Sequence, residues 1–202
     1  MVLLLPFIFL RDMIHIEPIF PTYLYFEEEI DNFNLVQKEI SSVVDATDFK
    51  FLEEWSTHWI SNSFDENIIH ELPLLKEVVN KNLDNYCKHM GFDDAVVEYE
   101  SSWIAKFEKN NYAHIHSHRY SDISGAYYFK TPEGGGDIFF HTPNGYQEAS
   151  RWWMHEREVV PPREGMLMLF PGWLRHGVVT NTSDESRMSI SFNVKLSKLN
   201  KM

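Results

Sequence analysis

The sequence predicts an α+β fold that is mainly β, with its helices first and its strands after them. Three observations carry this expectation. Apolar residues recur at helical spacing between residues 27 and 90, then give way to short β-branched and aromatic runs between 96 and 194. Turn signals punctuate the second half: Asn110-Asn111, Gly134-Gly135-Gly136, Asn144-Gly145 and Pro161-Pro162. Aromatic residues make up 15% of the chain, which suits a β-rich core around a lined pocket. Many short strands with frequent turns point to a sandwich or barrel, and the segregation of the two element types packs the helices on one sheet.

Taken in order, Met1 to Leu10 is apolar. It is too short to cross a bilayer and lacks the basic n-region and small-residue cleavage site of a signal peptide, so an edge strand or docked terminal segment is expected. Residues 14–26, with Pro18 and Pro21, read as an extended edge segment. Ile30, Phe33, Val36, Ile40 and Val43 or Val44 mark a first helix, with Glu27-Glu28-Glu29 placed at the positive end of its dipole. Residues 47–64 are mixed, and the four-residue spacing of Trp55 and Trp59 suggests a short amphipathic turn. Pro73 opens a second helix and Gly91 stops it, with Leu75, Val78 or Val79, Leu83 and Tyr86 as its apolar stripe. In its last turns Cys87 reads as a core residue and His89 as a partner of the negative helix end.

Strands are expected over 96–107, 123–129, 138–140, 166–170, 178–179 and 188–194. The glycine run at 134–136 joins two of them and reads as a hairpin, because no helix follows that would make it a phosphate cradle. Trp152-Trp153 reads as a cleft lining or a docked loop. The chain reads as one domain over 1–202, with strand and helical support over 1–94 and the β core over 95–202.

Charge and cysteine content narrow the function classes. A net charge of −12 and no basic block argue against nucleic acid as the main partner. No segment calls for a membrane. Cys87 is the single cysteine, so no intramolecular disulfide forms, which fits a reducing, cytoplasmic setting. Asn181-Thr182-Ser183 matches a glycosylation sequon but reads as a turn.

The chemistry sits in two histidine clusters. Residues two apart on a strand share a face, so His116 and His118 point the same way. With a distant third ligand they make a facial metal site with open positions, of the kind that suits non-haem Fe(II) and oxygen. His-x-His alone is a weak signal, because surface histidines adopt it by chance. His176, just after the strand ending Leu169-Phe170-Pro171, supplies the third candidate. Eleven residues later a strand alternates Arg187, Ser189, Ser191 and Asn193 with Met188, Ile190, Phe192 and Val194. A polar face inside a β-rich domain needs something polar to bind, and a guanidinium matches a carboxylate bidentately.

Trp103, Tyr112-x-x-x-His116-x-His118, Ser124-Gly125-x-Tyr127-Tyr128, Gly165-x-Leu167-x-Leu169-Phe170-Pro171, His176-x-Val178 and Arg187-x-Ser189-x-Ser191-Phe192-Asn193 occur in one order over residues 96–194. That ordered set resembles the Fe(II)/2-oxoglutarate-dependent oxygenases, in particular a bacterial and phage branch similar to the prolyl hydroxylases. The resemblance implies a double-stranded β-helix, the distorted jelly roll of that family, over 95–202. It implies His116 and His176 as iron ligands. The middle ligand is usually an Asp or Glu, and His118 stands there instead; Asp122 and Asp137 are the alternatives. It implies Arg187 for the distal carboxylate of 2-oxoglutarate, Tyr128 beside it, and Ser189 or Ser191 in support. His114 reads as an exposed histidine or a substrate-facing one. Fe(II), 2-oxoglutarate as cosubstrate and O2 are the implied cofactors. The implied activity is a dioxygenase, a hydroxylase that couples oxidative decarboxylation of 2-oxoglutarate to succinate with C–H hydroxylation. The substrate is a protein side chain, with peptidyl proline one candidate, or a small molecule. The competing readings are a cupin-like three-histidine dioxygenase or isomerase without 2-oxoglutarate, and a non-enzymatic jelly-roll binding domain. Arg187 and its serine-lined face argue against the first, and metal analysis discriminates the second.

Overall fold

The computed structural model describes residues 21–53, 56–61, 67–143 and 156–198. The expectations for residues 1–20, Trp55, the Asn144-Gly145 turn and Trp152-Trp153 lie outside the described residues.

Asn32, in the left-handed region at φ 57°, turns the chain into helix α1 (Phe33–Ala46). Val36 and Ile40, four apart, are its fully buried positions. The turn at Asn32 sets the start of α1 beyond the acidic run, so Glu27-Glu28-Glu29 does not occupy the first helical turn as expected. Glu28 instead pairs with Arg163 at 3.2 Å. Helix α2 (Pro73–His89) begins on Pro73 and ends before Gly91, which takes φ 79°, as the sequence predicts. A cap from the neighbouring helix completes it. The Glu39 carboxylate of α1 accepts the Leu74 and Leu75 amides of α2 at 2.9 and 3.0 Å, satisfying two donors that have no partner inside the helix.

The strands are β1 (Tyr25–Glu27), β2 (Phe49–Leu52), β3 (Ser56–Ser61), β4 (Ala95–Phe107), β5 (Tyr112–His116), β6 (Ile123–Lys130), β7 (Ile138–His141), β8 (Arg157–Val160), β9 (Leu167–Pro171), β10 (His176–Val178) and β11 (Arg187–Lys198). They run in the order β1-β9-β6-β11-β4-β3-β5-β10-β7-β8, with β2 paired to β3, and all the pairings are antiparallel. β3 bends from one layer to the other: Trp59 and Ile60 pair with β4, whereas Ser56 and Thr57 pair with β5. The result is a mainly β double-stranded β-helix with α1 and α2 against one layer, the predicted class.

Alternation assigns the two faces of the larger layer. Tyr127, Leu167, Leu169, Ile190, Phe192 and Val194 pack toward the helices with Leu75, Val79 and Leu83. Burying each such side chain contributes about 1.5–3 kcal/mol. Ala126, Tyr128, Met168 and Phe170, the intervening residues, face Ile138 and Phe140 of the second layer. Gly125 is needed for this packing, since a Cβ there would lie 2.3 Å from the Phe192 ring. Cys87 is buried in the helical core, as expected. Asn181 is fully buried and its side-chain oxygen accepts the Ser183 amide at 2.8 Å, so the sequon is a closed turn.

Two further expectations are corrected. Residues 49–52 and 56–61 form the paired strands β2 and β3 rather than an amphipathic turn, because Phe49 to Leu52 find partners in Ser61 to His58. The glycine run is no hairpin: β6 pairs with β11 and β9, and β7 with β10 and β8, so 134–136 carry the chain from one layer to the other. Gly136 permits the crossing at φ 94°, where a Cβ would also stand 2.3 Å from the Val179 carbonyl. β8, an edge strand, was not anticipated.

Candidate metal and cosubstrate site

β5 and β10 bring the two histidine clusters together, with His116 directly opposite His176 in their register. His118 lies two residues beyond the end of β5, not on the strand as its spacing suggested. The turn holds it in place: its amide donates to the Gly172 carbonyl at 2.8 Å, and the Gly172 amide donates to the Asp122 carbonyl at 3.0 Å. Gly172 allows that approach, because a Cβ would sit 2.2 Å from the Ser121 carbonyl oxygen and 3.0 Å from that of His118.

One nitrogen from each of His116, His118 and His176 lies within 4.8 Å of the others, and no other such group occurs among the described residues. Ring centroids stand 4.5 Å apart for His116–His176 and 5.2 Å for each pair with His118. His116 Nδ1 lies 2.8 Å from the His114 carbonyl and His176 Nδ1 2.8 Å from that of Leu174. A carbonyl only accepts, so each Nδ1 carries the proton and each Nε2 lone pair is left for a cation. His118 Nδ1 lies 3.3 Å from the Asn193 amide nitrogen. Burial lowers all three imidazoles, His118 to about 4, with the neighbouring histidines adding to the effect at His118 and His176. Neutral imidazoles are the ligating form, so the site is ready for a metal at neutral pH. Three nitrogen donors on one side of a cavity fit Fe(II).

Asp122 turns away from the cluster, and its carboxylate accepts the Leu196 amide at 2.8 Å. Asp137 is not in the group either, though its charge is felt at Arg187 and Tyr128. His114 is exposed and leans on the Tyr112 ring, contributing its carbonyl rather than its side chain.

The three histidines open on a cavity of about 770 Å³ whose other residues include Arg187, Tyr128, Ser189 and Ser191. Arg187 is 2% exposed, with its charge beside the rings of Phe107 and Tyr128 at 4.9 and 5.2 Å. Among the described residues no carboxylate pairs with it, and its Nε and Nη1 have no hydrogen-bond partner; neither has Tyr128 Oη. A buried cation with open donors beside an open hydroxyl is costly unless an anion completes it. Burial lowers the Arg187 pKa and raises that of Tyr128, which leaves the hydroxyl protonated and able to donate to the same anion. Ser189 is buried beside them and lines the cavity. A dicarboxylate such as 2-oxoglutarate fits this donor set.

His58, on β3, is a site residue that the sequence did not single out. It lines the cavity and stacks on Phe107 at 4.5 Å and 10°, and the Arg187 guanidinium lies 4.9 Å from the same ring. Burial pulls its pKa to about 4, with the His116 and Arg187 charges adding to the shift.

Comparison with known proteins gives the same picture. Residues 101–193 match the family described as "Putative 2OG-Fe(II) oxygenase". Among solved structures, the chain is similar to a Pseudomonas putida prolyl-4-hydroxylase at 15% identity and TM-score 0.56, covering 86% of this chain and 92% of that one. It is similar to a Trichoplax adhaerens prolyl hydroxylase in complex with a hypoxia inducible factor peptide fragment, at 14% identity and TM-score 0.60, covering 85% and 83%. It is also similar to HygX from Streptomyces hygroscopicus with nickel, 2-oxoglutarate and hygromycin B bound, at 10% identity and TM-score 0.60, covering 86% and 83%. At such identities these structures speak to the fold. No curated protein sequence matches the chain.

Proposed function

We propose that this chain, whose residues 101–193 match the 2OG-Fe(II) oxygenase family, is a hydroxylase whose iron is held by His116, His118 and His176 and whose 2-oxoglutarate is held by Arg187, Tyr128 and Ser189. The carrying observation is the pairing of two features in one cavity: three convergent imidazole nitrogens, and a buried guanidinium with two donors left open. The open donors favour this reading over a three-histidine enzyme without cosubstrate, which has no use for a buried cation.

Fe(II) with 2-oxoglutarate and O2 supplies the oxidising power for C–H hydroxylation, with succinate and carbon dioxide as coproducts. The protein's own work is positional. His116 and His176 present Nε2 because backbone carbonyls hold their Nδ1 protons. Arg187 offers two donors to one carboxylate, and Tyr128 donates its hydroxyl proton to the same group. Phe107, Phe170, Ile138 and Val178 line the cavity and exclude water from the reacting groups. Two substrate classes are carried forward, a protein side chain with peptidyl proline first, and a small molecule; prolyl hydroxylases and an enzyme with bound hygromycin B are both among the similar folds.

Anaerobic titration with Fe(II) and then 2-oxoglutarate tests this reading. A visible charge-transfer band is expected, lost in His116→Ala and His176→Ala while both variants stay folded. Wild-type protein that binds Fe(II) but shows no band and no spectral change with 2-oxoglutarate would overturn the cosubstrate assignment. Iron stoichiometry unchanged in either variant would overturn the ligand assignment. Succinate formation across a panel of prolyl peptides and small molecules then separates the two substrate classes.

A further inference from the structure

Asn193 is 6% exposed and lies on β11 where the pairing with β4 shifts register between Asn193 and Val194. Such a bulge re-aims a side chain. Its partners across the sheet are Ser101 on β4 and Ser124 on β6. The Ser124 hydroxyl donates to Asn193 Oδ1 at 2.7 Å, and Asn193 Nδ2 lies 3.1 Å from Ser101 Oγ and 3.3 Å from His118 Nδ1. His116 and His176 are oriented by backbone carbonyls, which admit one tautomer only. His118 is oriented by a carboxamide, which can present either an acceptor or a donor.

The two presentations differ in consequence. With the NH2 group toward Nδ1, the imidazole proton is forced onto Nε2 and that lone pair is lost to a metal. With the amide turned by 180°, Oδ1 accepts from His118 Nδ1–H and from the Ser101 hydroxyl, and Nδ2 donates to Ser124 Oγ. Nε2 is then free. An acid at position 118 would need no such selection; the histidine creates the need for it.

We propose that Asn193 is the positioning residue that selects the metal-competent tautomer of His118, by presenting its amide oxygen to Nδ1. This rests on the reading of His116, His118 and His176 as the metal set. Asn193 touches neither metal nor substrate in this role and acts through His118.

The test is Zn(II) titration of the full chain without 2-oxoglutarate, alongside nitrogen NMR of histidine-labelled protein. Wild-type His118 is expected as the Nδ1–H tautomer with Zn(II) bound. Asn193→Ala is expected to bind Zn(II) 10- to 100-fold more weakly. Asn193→Asp keeps the volume and can only accept, so its His118 is expected as Nδ1–H even without metal, with Zn(II) binding at least as tight as wild type. Asn193→Ala binding within twofold of wild type overturns the proposal, as does an Asp variant that keeps its melting temperature but shows Nε2–H or binds more weakly. If Asn193→Ala does not fold, the Asp variant's tautomer and affinity decide. Wild-type protein that takes up no Zn(II) sinks the three-histidine reading itself, a result distinct from normal uptake that is indifferent to position 193.

Discussion

Arg187 is the residue on which the cosubstrate assignment turns. Its charge is buried beside two aromatic rings, and two of its nitrogens have no hydrogen-bond partner among the described residues. Arg187→Lys keeps the charge and loses the two-pronged geometry. We expect the 2-oxoglutarate requirement to rise by about 30- to 150-fold, equivalent to about 2–3 kcal/mol, the scale of hydrogen bonds to a charged group. Iron content should stay near wild type. A lower melting temperature with unchanged 2-oxoglutarate affinity, read by calorimetric titration, would instead make Arg187 a structural cation. Arg187 was legible in the sequence because period-two alternation around Met188, Ile190 and Phe192 set it on a polar face that had no acid of its own. His58 was not legible for the opposite reason. On β3 the inward positions are His58 and Ile60, while the large apolar Trp59 is only half-buried. The pattern therefore runs against the usual contrast of apolar inside and polar outside.

At the scale of elements, two turns hold the third imidazole. The segment after β5 and the segment after β9 exchange backbone hydrogen bonds across Gly172. Gly172→Ala places a methyl group 2.2 Å from the Ser121 carbonyl, and backbone cannot rotate aside as a side chain would. The turns must part, at a cost of about 1–3 kcal/mol, and His118 moves with them. We expect metal affinity to fall along with the melting temperature. A variant with reduced stability but wild-type metal affinity would show that His118 does not depend on the turn. Asp122→Ala, by contrast, removes the acceptor of the Leu196 amide and should leave metal binding intact. Helix α2 was readable to within a residue because proline and glycine mark both its ends. The glycine run misled because consecutive strands usually pair, whereas here the chain changes layer. β8 gave no signal at all, since three of its four residues are exposed and no inward face stands out.

Across the whole molecule, buried imidazoles set the response to acid. His58 and His118 titrate near 4 and His176 well below its usual value, against an ordinary value of 6.5. Between those values the unfolded chain binds protons that the folded chain refuses. Stability is therefore complete above pH 6.5 and is lost as the pH falls toward 4, by about 3 kcal/mol for each of His58 and His118. The metal-free protein should melt at least ~5 °C lower at pH 5 than at pH 7. A melting temperature that does not change over that interval would mean that the imidazoles are solvated. Added metal should raise the melting temperature at pH 7 and lose that effect in acid, because protons and metal compete for the same lone pairs. The fold class followed from the order of helical and strand periods, whereas the path of β3 between layers depends on distant partners that no local pattern announces.

β11 is hydrogen-bonded on both sides, to β4 and to β6, and it carries Arg187 and Asn193 on one face six residues apart. A strand so held cannot stretch, and its residues advance about 3.3 Å each. On the proposed assignment it acts as a ruler laid between the carboxylate anchor and the third imidazole. The gap available to a cosubstrate is then a fixed number of carbon atoms, not an adjustable one. Oxaloacetate, one methylene shorter than 2-oxoglutarate, could reach the guanidinium or the metal but not both. Insertion of one residue between 187 and 193 would do more than lengthen the gap, since it would turn one of the two anchors to the opposite face of the sheet.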